Sequence, residues 1–98
     1  MAVDQLYYDK KNIEINGSEW HLFKLAEEAA ELVTAILQWK NKGYSFEDIK
    51  KEIADVKIGI RYFELAFGTD EIDRYIKLKE KRINRKVRKQ MEALENND

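Results

Sequence analysis

Residues 19–40, EWHLFKLAEEAAELVTAILQWK, carry the pattern that decides the fold. Their apolar side chains recur every three or four positions and fall on one wide helical face: Leu22, Leu25, Ala26, Ala29, Leu32, Val33, Ile36 and Leu37. Glu27 and Glu31 fall on the opposite face, and Gly43 follows as a helix stop. The stretch predicts a long amphipathic helix.

A second helix is predicted from Ser45 to Phe67, because Ser45 and Asp48 have the spacing of a capping box and Gly68 follows as a stop. One apolar stripe comprises Ile49, Ile53, Val56, Ile60, Phe63 and Phe67. A second patch lies across the helix and comprises Ala54, Ile58, Tyr62 and Leu65. A helix that is apolar on two sides needs cover on two sides. Since a short chain has few helices to supply that cover, we expect a partner subunit.

The third predicted helix starts at Thr69 or Asp70 and continues to about Leu94, with fraying over 95–98. At the other end, residues 1–17 are predicted to form an N-terminal arm or a short helix over 3–8. Ile13 and Ile15 alternate with polar residues as in an extended stretch, and Ser18 is a candidate N-cap. No repeat or low-complexity linker interrupts the chain. We therefore predict a single all-α domain over 1–98, a helical bundle completed by oligomerisation.

Composition excludes several classes of site. The 98 residues contain no cysteine and a single histidine, His21, which rules out disulfides, thiolate sites and multi-histidine zinc sites. No apolar run approaches the roughly 20 residues that span a bilayer, so we expect a cytoplasmic protein without membrane contact. Residues 1–73 carry a net charge of −6 and residues 74–98 carry +5. Such a division suits nucleic acid, or a metal together with an anionic ligand.

Two carboxylate pairs are the strongest candidates for chemistry. Glu28 and Glu31 are three residues apart on the first long helix, and Glu52 and Asp55 are three apart on the second. Antiparallel packing would bring all four to one point, where a divalent cation would relieve their repulsion. Oxygen ligands favour Mg²⁺, or Mn²⁺, over zinc. The bland alternative is a solvated acidic face, since the same spacing recurs elsewhere in the chain.

Gly59 lies one turn beyond Asp55, and a glycine inside a helix costs about 1 kcal/mol relative to alanine. Either space beside the acids or close helix packing would explain it. His21 is expected to be a surface or hydrogen-bonded histidine.

Glu27-Glu28-x-x-Glu31, followed after twenty residues by Glu52-x-x-Asp55, resembles the EExxE…ExxD signature of the all-α nucleoside triphosphate pyrophosphohydrolases, the MazG-like superfamily. The similarity covers about residues 20–88. It implies that Glu28, Glu31, Glu52 and Asp55 bind Mg²⁺. It also implies that Glu27 and Glu28 serve catalysis, Glu27 as an extra ligand or a water-orienting base. Such enzymes hydrolyse a nucleoside triphosphate between the α and β phosphates, releasing a monophosphate and pyrophosphate.

The resemblance also implies contacts to substrate and an assembly. Candidate phosphate contacts are Lys24, Lys79, Arg82, Asn84 and Arg85. Trp20 and Trp39 are candidates for stacking on the base, although packing is the alternative for both. A homodimer, or a tetramer built from dimers, is expected, with nucleotide-pool housecleaning as the role.

Three alternatives remain open at this stage. The first is a phosphoribosyl-ATP pyrophosphohydrolase resembling HisE. The second is a nucleic-acid-binding helical module that uses the eight basic residues within 77–89. The acidic net charge and the spread of these residues around the helix disfavour nucleic acid. The third is an oligomerisation domain whose acids are merely solvated.

Overall fold

The computed structural model describes residues 4–41 and 43–97. Over these ranges the chain forms four helices and no strand: α1 (Gln5–Asn16), α2 (Ser18–Gln38), α3 (Phe46–Phe67) and α4 (Asp70–Asn96). The predicted all-α fold is confirmed. None of the helices described is long and apolar enough to cross a membrane. The chain divides into two compact units, with the boundary between Phe67 and Gly68.

Helices α2 and α3 form an antiparallel hairpin, because ring contacts join the end of one helix to the start of the other. The rings of Trp39 and Phe46 lie 4.6 Å apart beside the connecting turn, and those of His21 and Tyr62 lie 4.3 Å apart at the far end. The predicted capping box is confirmed at the start of α3. The Ser45 backbone N–H donates to Asp48 Oδ2 at 2.9 Å, and the Asp48 backbone N–H donates to Ser45 Oγ at 3.2 Å.

Gly59 of α3 lies directly against Leu25 of α2. A Cβ atom added to Gly59 would lie 2.9 Å from Leu25 Cδ1 and 3.5 Å from Leu25 Cα. The structure therefore supports close helix packing as the reason for this glycine. The packing sets the spacing between the two helices that carry the acidic motifs.

Helix α1 corrects the predictions for the N-terminal segment. The helix runs to Asn16, so the extended stretch expected around Ile13 and Ile15 is wrong, while Val3 lies outside the described residues. Gly17, with φ of +95°, occupies the cap position expected for Ser18, which is already the first residue of α2. The only buried residue of α1 is Asp9. Polar contacts therefore hold this helix, and hydrophobic periodicity gives no signal for it.

The second unit contains α4. Across Asp70–Asn96, which the structure describes in full, no residue is buried. The helix continues through Glu95 to Asn96, and Asp98 lies outside the described residues. The fraying expected over 95–98 stays a prediction. At the other boundary, α2 ends at Gln38, two residues earlier than predicted.

Candidate metal centre

Four carboxylates from α2 and α3 meet at one point in the hairpin. Glu28 and Glu31 project from successive turns of α2, and Glu52 and Asp55 from successive turns of α3. One carboxylate oxygen from each of the four lies within 4.8 Å of the others. This group, the carboxylate cluster, joins the two sequence motifs in a single site.

Two members of the cluster hold buried oxygens that lack partners. The Glu28 side chain is only 13% exposed, and Glu52 is half-buried, whereas Glu31 and Asp55 are exposed. Oε2 of Glu28 and Oε2 of Glu52 have no hydrogen-bond partner among the described residues. Leaving a buried acceptor unpaired is costly, particularly when it is charged. The hairpin therefore presents acceptor atoms that a ligand could satisfy.

The electrostatics of Glu28 show the conflict directly. Burial raises the pKa of the Glu28 carboxyl above its ordinary value, and the negative charges of Glu31 and Asp55 raise it further. Lys24 Nζ lies 3.5 Å from Glu28 Oε1 and opposes this shift only in part. A cation placed among the four carboxylates would lower the pKa of Glu28, because it favours the ionised form of each carboxylate.

Glu27 lies outside the carboxylate cluster. Its side chain is 66% exposed, and Oε2 lies 3.4 Å from Lys24 Nζ. The proximity of the Glu27 carboxylate raises the pKa of Lys24. Of the two glutamates predicted to serve catalysis, the structure brings Glu28 into the cluster and leaves Glu27 at the surface.

The donor set indicates which metal would fit. Carboxylate oxygens alone, without nitrogen or sulfur, suit a hard divalent cation such as Mg²⁺ or Mn²⁺. Two buried oxygens of the cluster have no hydrogen-bond partner among the described residues with which a cation would compete. Both observations are consistent with the predicted cofactor.

Beside the carboxylate cluster lies a cleft of about 200 Å³. We refer to it as the aromatic cleft, and its lining residues are Asn12, Trp20, His21, Lys24, Glu28, Asp55, Ile58, Gly59 and Tyr62. Of the predicted substrate contacts, Trp20 and Lys24 line it. Sequence reasoning did not identify Asn12, His21 or Tyr62 as part of a site.

The surface position expected as one alternative for His21 is wrong. The residue is 4% exposed, so it does not lie at the surface, and its Nε2 atom has no hydrogen-bond partner among the described residues. A signal was present in the sequence, since His21 precedes Glu28 by seven residues and Tyr62 follows Asp55 by seven. Seven residues are about two helical turns, which places each pair on one side of its helix.

The remaining predicted contacts lie elsewhere. Trp39 packs on Phe46 at the α2–α3 turn and is not among the residues that line the aromatic cleft. Lys79, Arg82, Asn84 and Arg85 belong to α4 in the second unit. On that helix a groove of about 270 Å³ is lined by Lys81, Asn84, Arg85 and Arg88. Three basic residues and one amide on successive turns could bind an anion.

Comparison with known proteins adds no relative. No protein-family model, curated protein or solved structure matches this chain. The resemblance to the MazG-like superfamily therefore remains a prediction from the two acidic motifs.

Proposed function

We propose that this protein is a Mg²⁺-dependent nucleoside triphosphate pyrophosphohydrolase of MazG-like type. The observation that carries the proposal is the carboxylate cluster, in which four carboxylates converge within 4.8 Å and two buried oxygens lack partners. Its arrangement on two antiparallel helices agrees with the spacing of the EExxE…ExxD motifs. The reaction adds water to the α–β phosphoanhydride and yields a nucleoside monophosphate and pyrophosphate.

The residues of the cluster would hold the cation that the reaction needs. Mg²⁺ bound there would supply positive charge for the phosphate oxygens and would lower the pKa of a water molecule. Glu28 and Glu52 would bind through the oxygens that now lack partners. Glu27, which is exposed beside Glu28 and paired with Lys24, would orient water or accept its proton in this proposal.

Cations of the chain would neutralise the rest of the triphosphate. Lys24 lines the aromatic cleft together with Glu28, so it lies beside the cluster. Lys79, Arg82, Asn84 and Arg85 on α4 remain proposed phosphate contacts. Within α4, Asn84 and Arg85 share a groove with two further basic residues, and such a set of donors suits an anion.

We also propose that the protein assembles as a homodimer or a tetramer of dimers. Only two apolar residues, Ala35 and Ile49, are buried among the residues described, which is a small core for three packed helices. Large apolar side chains on α2 and α3 stay exposed, among them Phe23, Leu37, Ile60 and Phe67. Multi-angle light scattering should give a dimer or tetramer mass, and a monomer would contradict the assembly.

Pyrophosphate release tests the reaction. The protein should release pyrophosphate from at least one member of a panel of ribo- and deoxyribonucleoside triphosphates with Mg²⁺, and from none with EDTA. Glu52→Gln should reduce the rate by more than about 100-fold, since loss of even an outer-shell partner typically costs 10- to 100-fold. Glu47→Gln, an exposed acid on the same helix, is the matched control and should retain the wild-type rate.

The alternatives give different results in the same assay. Hydrolysis of phosphoribosyl-ATP alone would identify the HisE-like activity. Absence of release from every nucleotide, or equal rates in wild type and Glu52→Gln, would contradict the proposed function. Salt-sensitive nucleic-acid binding that survives Glu52→Gln would favour the helical binding module instead.

A further inference from the structure

Helix α1 is attached to the rest of its unit mainly by polar side chains. Over Gln5–Asn16 the one buried residue is Asp9, which is 3% exposed. Ile13 is half-buried, and the other large apolar side chains of α1 are more than half exposed: Leu6, Tyr7, Tyr8 and Ile15. Most helices of proteins are held in place by packing of an apolar face. Helix α1 lacks such a face, so its attachment depends on a few polar contacts.

These polar contacts end on two consecutive residues of α3. Asp9 accepts hydrogen bonds from Arg61 through Nε at 2.7 Å and Nη2 at 3.1 Å. Asn12 Nδ2 donates to the Tyr62 hydroxyl at 3.1 Å. The Arg61 side chain is 46% exposed, so water can solvate the guanidinium when the contact breaks. The side-chain hydrogen bonds described between α1 and α3 are therefore confined to one region that can open without stranding a buried cation.

Gly17 alone separates α1 from α2. Its φ of +95° lies in a region that glycine adopts readily and other residues rarely adopt. A Cβ atom added to Gly17 would have no described atom within 4 Å, so the link lies in open space. Hinges in proteins are commonly a few residues at the ends of helices or strands. Gly17 has the position, the freedom of rotation and the space that a hinge needs.

Helix α1 also forms part of the wall of the aromatic cleft. Asn12 lines this cleft together with residues of α2 and α3. Its partner Tyr62 lines the cleft too, and the Tyr62 ring stacks on His21 at a centroid distance of 4.3 Å. His21 is only 4% exposed. Departure of α1 would therefore remove one wall of the cleft and release the ring that packs against His21.

A detached α1 would not remain a helix. Isolated helices shorter than about 12–15 residues are marginal in water, and α1 has 12 residues. Its backbone would regain conformational freedom on release, which offsets part of the lost contacts. Proteins open locally in cooperative units, and the units with few buried apolar contacts open at the lowest free energy. Helix α1 has the properties of such a unit.

We propose that α1 is a detachable cover of the aromatic cleft, hinged at Gly17 and held closed by the Asp9–Arg61 and Asn12–Tyr62 contacts, which opens while the α2–α3 hairpin stays folded. Opening admits molecules to the cleft and to Glu28, the member of the carboxylate cluster that lines it. The proposal concerns access and does not rest on the proposed function, because its tests use neither nucleotide nor metal.

Amide hydrogen exchange, followed by mass spectrometry, tests the opening of α1. Exchange of the metal-free wild type in EDTA is corrected for the intrinsic rate of each amide. The hydrogen-bonded amides of α1 should exchange together and at least about tenfold faster than the slowest amides of α3, because local opening costs less than global unfolding. Equal protection of α1 and α3 would overturn the proposal, since α1 would then open only when the whole unit unfolds.

Chemical modification of His21 tests whether this opening exposes the cleft. The chain contains a single histidine, so the absorbance of the histidine adduct of diethyl pyrocarbonate reports on one side chain. Relative to free N-acetylhistidine, the reaction of His21 should be slowed by the same factor as the exchange of α1. A slowing equal to that of the slowest α3 amides, or no slowing at all, would overturn the proposal.

Substitutions in α1 link the two measurements. Asp9→Asn should accelerate both α1 exchange and His21 modification about 5- to 30-fold, because it weakens the charged contact with Arg61. Asn12→Ala should accelerate both about fivefold, and it serves the same comparison if Asp9→Asn does not fold. Glu14→Gln is the matched control, since Glu14 pairs with Lys11 at the surface of α1 and should change neither rate by more than about twofold.

Two results with these variants would overturn the proposal. The first is an unchanged rate of α1 exchange in the folded Asp9→Asn or Asn12→Ala variant, which would show that the polar contacts do not hold α1 closed. The second is faster α1 exchange with unchanged modification of His21, which would show that α1 does not cover the cleft.

Discussion

Asp9 and Glu28 are two acidic side chains largely removed from solvent in the same unit, and their surroundings are opposite. Asp9 accepts hydrogen bonds from Arg61 and from Gln5, and the Arg61 guanidinium holds the pKa of the Asp9 carboxyl below its ordinary value. Glu28 lies among three other carboxylates, its Oε2 lacks a partner among the described residues, and its pKa is raised. The fold supplies hydrogen-bond donors to the carboxylate of Asp9 and leaves one oxygen of Glu28 without a donor among the described residues.

This contrast separates a structural acid from a candidate ligand-binding one. Asp9 anchors α1 to α3 and contributes to stability through pairing. Glu28 in the metal-free protein opposes folding when ionised, since it gathers like charge in a desolvated place. A buried carboxylate that lies beside other carboxylates destabilises the metal-free fold, and groups of this type are expected at functional sites.

The largest expected effect distinguishes Glu28 from its neighbour Glu27. Mg²⁺ affinity, measured by isothermal titration calorimetry, should fall by more than about 100-fold in Glu28→Gln, beyond the effect of losing an outer-shell partner. Glu27→Gln should bind Mg²⁺ as the wild type does, because Glu27 lies outside the carboxylate cluster. Equal losses in the two variants would show that the motif, and not the cluster geometry, determines binding.

A second prediction compares Glu28 with Asp9 through stability. Asp9→Asn should lower the free energy of unfolding by about 1–2 kcal/mol, a modest value because Arg61 is partly exposed and can be solvated. Glu28→Gln should raise the stability of metal-free protein by about 0.5 kcal/mol, as removal of a like-charge contact does. Urea unfolding in EDTA measures the free energy of unfolding of both variants. A Glu28→Gln variant less stable than the wild type would contradict the difference proposed between the two acids.

The pH dependence of stability should differ in sign between the two acids. The pKa of Asp9 is lowered from 3.8, so its contribution is fully present above that value and is lost as pH falls through the lowered pKa. The pKa of Glu28 is raised from 4.5, so its contribution is present below that value and is lost as pH rises through the raised pKa. Unfolding of wild type, Asp9→Asn and Glu28→Gln across acidic pH, in EDTA, checks both directions.

The smallest expected effect is the loss of stability in Ser45→Ala, which serves as a control for the acidic variants. Ser45→Ala removes the capping box of α3 and should cost about 1 kcal/mol of stability. The hydrogen bonds of the cap join Ser45 and Asp48 and involve no residue of the carboxylate cluster, so the Mg²⁺ affinity of the folded variant should be unchanged. A loss of Mg²⁺ binding in Ser45→Ala would mean that general destabilisation explains losses in the acidic variants too.

A feature of this protein could be predicted from its sequence when the interactions that form it join residues close together in the chain. The bounds of α3 were predicted to within one residue, because its cap, stop and apolar stripe are local signals. The convergence of Glu28, Glu31, Glu52 and Asp55 needed only two helices and an antiparallel connection. Both features could be predicted from the sequence.

The remaining features depend on residues distant in sequence. Asp9 and Arg61 are 52 positions apart, and Asn12 and Tyr62 are 50 apart. No local sequence pattern therefore predicts that α1 packs on α3. The burial of His21 depends on Tyr62 in the same way. The sequence allowed two explanations for Gly59, space beside the acids or close helix packing, and the contact with Leu25 supports the second.

The most direct test of the carboxylate cluster is the change in unfolding temperature when Mg²⁺ is added to metal-free protein, with NaCl at equal ionic strength as reference. A cation that binds only the folded state stabilises that state by RT ln(1 + [Mg²⁺]/Kd), so it raises this temperature. The wild type and Glu47→Gln should show the same rise, which grows with the logarithm of the Mg²⁺ concentration above Kd, and Glu52→Gln should show no rise beyond the NaCl reference. No rise beyond the NaCl reference in the wild type, or an equal rise in all three proteins, would contradict a metal site at the cluster.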